Sequence, residues 1–481
     1  MGDICEREIC DNISIYPPSS DEHIDNYLRN IEKKNKWQLG KIISKIYNLT
    51  TYNNGVDDFY SKMSPYYGAD STKDNIFVHL GPVIGLHYAK STNLSNTTCG
   101  SLIVVNPNSL QRFKDEHKLL QHKSTHPIAI TTVSFGSIGG IGKCIFYATQ
   151  CGKIFVHLSE NFEQLLMADT SHYYEDKAVE FTILSVISPV GGYVEYIAAG
   201  NIFGHIFLYQ VPGMTLMKVL FKGVDDFDLY IPKDLDSDTY TPKALESLYN
   251  DDFIKQNEYI CNKNFPNTQT DGLFTCAMNV AFKNNLWIAF GDSTLIVLST
   301  PEFTVLHHTS LQVADSKYVA TNIQFSRIHE IALVLLGNDY LMVRDICTFN
   351  CLRIITSNIL TCGFPISTLL LYDTYDYSLS ARTCILVVAG MDGSICLRKL
   401  ERKEGTQFAW TLIKRFVSQK DETNNGDNQV PILCMHLDEF SDSFFLGDAR
   451  GLVRRYSNFF ELYHKDSRSV DIKVKDHAGD G

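Results

Sequence analysis

The chain has 481 residues, 44% apolar and 20% charged, with a formal net charge of −12. That composition lies in the globular range, and the acidic balance weighs against a nucleic-acid binder, which carries a basic face. No run approaches the ~18 apolar residues of a membrane-spanning helix, and Met1–Cys10 lacks the apolar stretch of a secretory signal. A cytoplasmic protein is expected, with nuclear residence compatible and membrane contact at most peripheral.

Residues 1–20 are polar, end in Tyr16-Pro17-Pro18-Ser19-Ser20, and read as a flexible arm. Ser19 followed by Glu22 fits a helix capping box. Ile24, Tyr27, Leu28 and Ile31 then recur at helical spacing, as do Leu39, Ile42, Ile43, Ile46 and Tyr47. Residues 21–74 therefore read as a short helical extension and a loop. The apolar stripes would pack on the chain's own body or on a partner.

From residue 75 the pattern changes to short strands punctuated by Gly and Asp. The clearest unit is Val387-Val388-Ala389-Gly390-Met391-Asp392-Gly393-Ser394-Ile395-Cys396-Leu397, a strand, a tight Asp-Gly turn and a second strand. Related copies are centred on Gly100, Gly152, Gly204, Ser293, Asp339 and Gly451. Each has an apolar strand upstream, and most have a further apolar run downstream, such as Glu163–Met167 and Trp410–Phe416. Successive marks are 52, 52, 89, 46, 54 and 58 residues apart, and the long interval holds the acidic stretch 222–272. From Lys222 to Asp271 there are 11 acidic and 5 basic residues, so this stretch carries half of the net charge. Four short strands in ~40–50 residues are the signature of a propeller blade. The expected fold is all-β: a seven-bladed β-propeller over 75–465, an acidic insert between the third and fourth blades, and a tail over 466–481. Asn75–Leu80 is favoured as the strand completing the seventh blade, with Phe459–His464 and Val470–Val474 as competitors.

This pattern resembles the WD-repeat propellers. The Trp-Asp pair that ends the family's repeat is absent here, and Arg344-Asp345 is the nearest ending. Tyr209, Tyr456 and His157 stand at the Trp position of other copies, and Thr125-His126-Pro127 faintly echoes the family's Gly-His pair. The resemblance implies that Asp292, Asp339, Asp392 and Asp448 are structural turn residues, joining hydrogen-bond networks that brace their blades.

The sequence offers little catalytic chemistry. Gly136–Gly142 is Gly-rich, but a strand follows it where a phosphate cradle needs a helix. Cys347 and Cys351 lack the second ligand pair of a zinc site. His307 and His308 are neighbours on a strand-like run, so they face opposite ways. The 13 cysteines follow no regular spacing, and Cys144, Cys276, Cys384, Cys396 and Cys434 read as buried reduced thiols. No catalytic residue, metal or cofactor is expected.

The reading is a non-catalytic scaffold or adaptor that binds one or more proteins. Its partner-binding candidates are Asp225, Asp226, Phe227, Asp228 and Tyr230 in the insert, with Arg450, Arg454 and Arg455 in the last copy. Acidic and aromatic residues together suit basic or apolar grooves, and arginines suit carboxylates or phosphates. A propeller hydrolase with a channel site and a membrane-surface or trafficking adaptor are the alternatives.

Overall fold

The computed structural model describes residues 73–459 apart from 78–81, 93–97, 115–118, 175–177, 189–191, 223–226, 231–273, 282–284, 362, 377–380, 403–407, 418–429, 439–442 and 458. The expected helices over 21–49 and the C-terminal tail lie outside the described residues.

Seven antiparallel sheets form a seven-bladed propeller arrangement. Blade 1 has strands Gly85–Thr92, Thr98–Asn106, Ser109–Lys114 and Leu119–Thr125. Blade 2 has Ile130–Ile138, Gly142–Thr149, Lys153–Leu158 and Gln164–Asp169. Blade 3 has Phe181–Ile187, Tyr196–Asn201, Ile206–Gln210, Thr215–Lys222 and a fifth strand, Phe227–Tyr230. Blade 4 has Thr275–Val280, Leu286–Phe290, Thr294–Leu298 and Val305–Ser310. Blade 5 has Ala320–Ser326, Ile331–Leu336, Tyr340–Asp345 and Cys351–Thr356. Blade 6 has Ile366–Asp376, Ala381–Gly390, Ser394–Arg402 and Phe408–Val417. Blade 7 has Ile432–Asp438, Ser443–Asp448 and Leu452–Ser457, and its fourth strand is Lys73–Phe77 from the start of the chain.

That closing strand starts two residues before the favoured Asn75 and pairs antiparallel with the last strand, from Lys73 opposite Tyr456 to Phe77 opposite Leu452. The acidic stretch does more than interrupt the repeat. Its residues Phe227–Tyr230 extend blade 3, with Val219 opposite Tyr230 and Lys222 opposite Phe227.

The blades group into two compact units. One holds Pro107–Leu110 and His122–Ala320, hence blades 2 to 4; the other holds blades 5, 6 and 7 with most of blade 1. Within each unit the first strands of neighbouring blades adjoin, so the fourth strands lie outermost. Middle strands are buried on both faces. All five residues of Leu286–Phe290 and all six of Ile331–Leu336 are buried. Such strands read as continuous apolar runs where a one-sided sheet would alternate.

The cores lie between blades. Phe146 and Val156 of blade 2 pack with Phe181 and Phe207 of blade 3. Ile206 and Leu208 meet Leu286 and Ile296 of blade 4. In the other unit Leu333 and Val343 of blade 5 join Leu369 and Leu386 of blade 6. Side-chain hydrogen bonds staple neighbouring sheets. Thr182 Oγ1 donates to the Thr275 carbonyl at 2.5 Å. The Asp373 carboxylate of blade 6 accepts from Ser326 Oγ at 2.7 Å and from the Arg327 and Ile328 amides of blade 5 at 2.5 and 3.2 Å.

The first repeat mark falls in the wrong place. Gly100 lies inside Thr98–Asn106, and the corresponding turn of blade 1 is Pro107-Asn108. Gly100 is small for a different reason: a Cβ there would lie 1.6 Å from the Tyr88 hydroxyl.

Candidate interaction surface

The turn between the second and third strands of each blade is where the repeat keeps its polar residues. In blade 6 Asp392 Oδ1 accepts from the Ser394 amide at 3.1 Å and from Ser394 Oγ at 2.6 Å, and Oδ2 faces Arg415 at 3.6 Å. In blade 7 Asp448 Oδ1 accepts from the Arg450 and Leu452 amides, both at 2.9 Å, and Oδ2 lies 3.7 Å from Arg454 Nη2. Asp448 is 2% exposed. Burial pushes its carboxyl above the usual carboxylate range, against the pull of Arg454 and the two amides. Asp292 accepts from the Thr294 amide at 3.1 Å. Asp339 is exposed, and its turn is held through backbone groups: its amide donates to Leu336 and its carbonyl accepts from Ser357.

Two blades use other residues for bracing, which the sequence reading did not single out as networks. In blade 2 the Phe162 carbonyl can only accept, so His157 Nδ1 carries the proton at 2.9 Å. Nε2 of that neutral ring then accepts from the Tyr147 hydroxyl at 2.9 Å, and the Tyr147 oxygen accepts from His126 Nε2 at 3.0 Å. Burial lowers the His157 pKa to about 4. His157 stands at the repeat's Trp position and His126 just before the first strand, so a His-Tyr-His chain runs across the blade. In blade 3 Asn201 Oδ1 accepts from the Phe203 and His205 amides, both at 3.0 Å, while Asn201 Nδ2 donates to Tyr174 Oη at 2.6 Å. The Tyr174 hydroxyl donates to His205 Nδ1, also at 2.6 Å, and the two rings stack. Burial pushes the His205 pKa down to about 3. The signal for both was a run of ring-bearing residues at the turn ends, which has no fixed spacing.

The arginines of blade 7 are drawn inward to different degrees. Arg454 is paired with Asp448. Arg455 donates through Nε and Nη2 to Ser443 Oγ at 3.1 and 2.9 Å and lies over the Phe445 ring. Arg450 is exposed. Phe227, Asp228 and Tyr230 sit on the fifth strand of blade 3, whereas Asp225 and Asp226 lie outside the described residues.

Blade 6 carries one further buried cation. Arg398 donates through Nε to the Leu360 carbonyl at 2.8 Å, through Nη2 to Ile359 O, and through Nη1 to the Trp410 carbonyl at 2.9 Å. It thereby fixes a five-residue helix, Ser357–Thr361, against the blade. Gly136–Gly142 is the tip of a hairpin: Gly136–Ile138 and Gly142 belong to its two paired strands, and residues 139–141 make the turn. Cys144, Cys276, Cys384 and Cys396 are buried free thiols, and burial lifts the Cys144 pKa to about 11. Among the described residues no three His, Cys, Asp or Glu side chains gather as a metal site would need.

Most of the exposed large apolar residues described lie on outermost strands. Of the eight large apolar side chains exposed among the described residues, five lie on outermost strands: Met167, Val305, Leu306, Ile354 and Leu412. Val305 and Leu306 are consecutive, 48% and 46% exposed, at the start of the outermost strand of blade 4.

No protein-family profile matches the chain, and no curated protein does. Among solved structures, the computationally designed Ika8 protein is similar over 80% of this chain and 100% of its own, at 12% identity and a TM-score of 0.45. A likeness that loose carries no argument, and the fold stands on its strand order.

Proposed function

We propose that the chain is a divergent WD-repeat-like propeller that serves as a non-catalytic scaffold, binding one or more proteins through its rim. The observation that carries this reading is the consecutive exposed pair Val305 and Leu306 on an outermost strand. Soluble surfaces seldom keep adjacent large apolar residues uncovered, and contiguous patches of them mark sites of association. An outermost strand also offers unpaired backbone groups to an extended partner segment. The described polar clusters, by contrast, are turned into braces. The membrane-surface alternative rests on the basic side of the expected helix 21–49, which lies outside the described residues, together with the arginines of the last blade, of which Arg454 and Arg455 are engaged within blade 7.

The test is quantitative affinity capture from the native cell, comparing the full chain with Val305→Ser/Leu306→Ser. Partners retained by the parent chain and lost by the variant, with unchanged thermal unfolding, are expected. An identical partner set on both chains, or none on either, would refute a role for this edge.

A further inference from the structure

We propose that the outermost strand of blade 4, Val305–Ser310, pairs edge to edge and antiparallel with the same strand of a second copy of this chain. Such a pairing rests on the reading of this edge as a docking site and supplies its occupant. The strand pairs with Thr294–Leu298 and ends its sheet among the described residues. An uncovered edge recruits other strands, and proteins commonly blunt it with charge. The outermost strands of the other blades each hold at least one charged residue: Lys123, Asp169, Asp228, Arg353, Lys414 and Lys73. Val305-Leu306-His307-His308-Thr309-Ser310 holds no Lys, Arg, Asp or Glu. It alone lacks that protection.

Blade 3 shows that such an edge takes a further strand. Phe227–Tyr230 pairs antiparallel with residues 219–222 of its fourth strand. Counted from the bulge in each fourth strand, the matching positions of blade 4 are 308–311. No strand among the described residues lies outside them. Leu306 is the extra residue of the blade 4 bulge, where the strand bends and re-aims its side chains, and Val305 and Leu306 are exposed side by side.

Charge selects the occupant. Two copies of a chain with a net charge of −12 repel one another over most of their surface. They meet at little electrostatic cost where neither is charged. Paired with itself, this strand opposes no Lys, Arg, Asp or Glu in any register, so no like-charge pair disfavours the contact. Complementary charge is what would single out a foreign partner for an acidic protein, and this edge has none to offer. A twofold pairing is isologous, so Val305 and Leu306 are covered on both copies at once. The contact is small, at the transient end of interface sizes.

Sedimentation velocity of the full chain, from micromolar to near-millimolar concentration, tests it. The parent is expected to pass reversibly from monomer to dimer and no further, because a twofold contact closes on itself. Val305→Ser/Leu306→Ser should raise the dissociation constant of the dimer about tenfold or more, as the loss of two apolar contacts on each copy implies. Thr309→Lys and Thr309→Glu should each weaken the dimer by bringing like charges together near the axis. An equimolar mixture of those two variants should dimerise more tightly than either alone. Unchanged thermal unfolding shows that each variant has kept its fold. Three results would each overturn the proposal: a parent chain that stays monomeric throughout, association unchanged in Val305→Ser/Leu306→Ser, or a mixture of the Thr309 variants that dimerises no better than either one. A chain that stays monomeric while Val305→Ser/Leu306→Ser loses cellular partners ends the dimer and leaves the scaffold reading standing. Foreign partners kept by a variant that no longer dimerises would do the reverse.

Discussion

His205 gives the sharpest quantitative test of the brace chemistry. Its ring is buried and neutral, stacked on Tyr174, whose hydroxyl donates to Nδ1. Protonating Nδ1 would break that bond and place an uncompensated charge inside blade 3. With a folded pKa of about 3 and an ordinary value of 6.5, the unfolded chain takes up the proton first as pH falls. The stability His205 supports is therefore complete above pH ~6.5, declines as pH drops toward ~3, and levels off below. Between pH 7 and pH 5 the loss from this one group is about 2 kcal/mol. Urea unfolding at the two pH values measures it. His205→Asn should lower stability at pH 7, because Tyr174 loses its acceptor, yet shrink the pH 7 to pH 5 difference by about 2 kcal/mol. The informative quantity is that difference. A variant that falls as steeply between the two pH values as the parent would show that His205 is already protonated in the fold, and the tautomer argument would fail with it.

Two more outcomes follow from the turns. Asp448→Ala should cost about 3 kcal/mol in urea unfolding, because it leaves two amides and the Arg454 guanidinium without their acceptor. Asp448→Asn should cost clearly less, since it retains an oxygen for the Arg450 and Leu452 amides; equal losses would mean that the ion pair, rather than the turn, carries the site. Gly393 has φ +75°, and a Cβ there would meet the Val430 carbonyl oxygen at 2.8 Å, whereas Gly140 has φ +76° with nothing within 4 Å. Gly140→Ala should cost about 1 kcal/mol, the left-handed backbone penalty alone, and Gly393→Ala distinctly more by the same thermal or urea assay. Similar costs would remove the contact from the explanation.

What could be read from the sequence and what could not divide along physical lines. Glycines with positive φ sit in six of the blade turns and hairpins read from the sequence, among them Gly152, Gly393 and Gly451, because few other residues adopt that backbone. Gly100 misled for the complementary reason: it is required by a neighbouring ring, and a sequence does not distinguish a glycine that turns from one that makes room. The fifth strand of blade 3 was hidden because Phe227–Tyr230 is short and embedded among aspartates. Arg454 and Arg455 looked like surface cations, and Asp448, Ser443 and Phe445 became their partners only when the strands were in register. The His126–Tyr147–His157 chain joins residues 31 positions apart, and its members are recognisable as a set only through the sheet that brings them together.

The pairing of Lys73–Phe77 with Leu452–Ser457 sets the order in which the molecule can be finished. During synthesis the first strand of the propeller emerges early and has no sheet of its own until some 375 further residues have been made. Its partner is at the far end, so blade 7 is assembled across the greatest sequence separation in the fold, the kind of contact that forms late. Until Leu452–Ser457 is made, blade 7 has only the paired strands Ile432–Asp438 and Ser443–Asp448 and an uncovered edge, open to a foreign strand. A ribosome stalled before residue 452 should therefore hold a chain prone to association, and release of the last strand should relieve it.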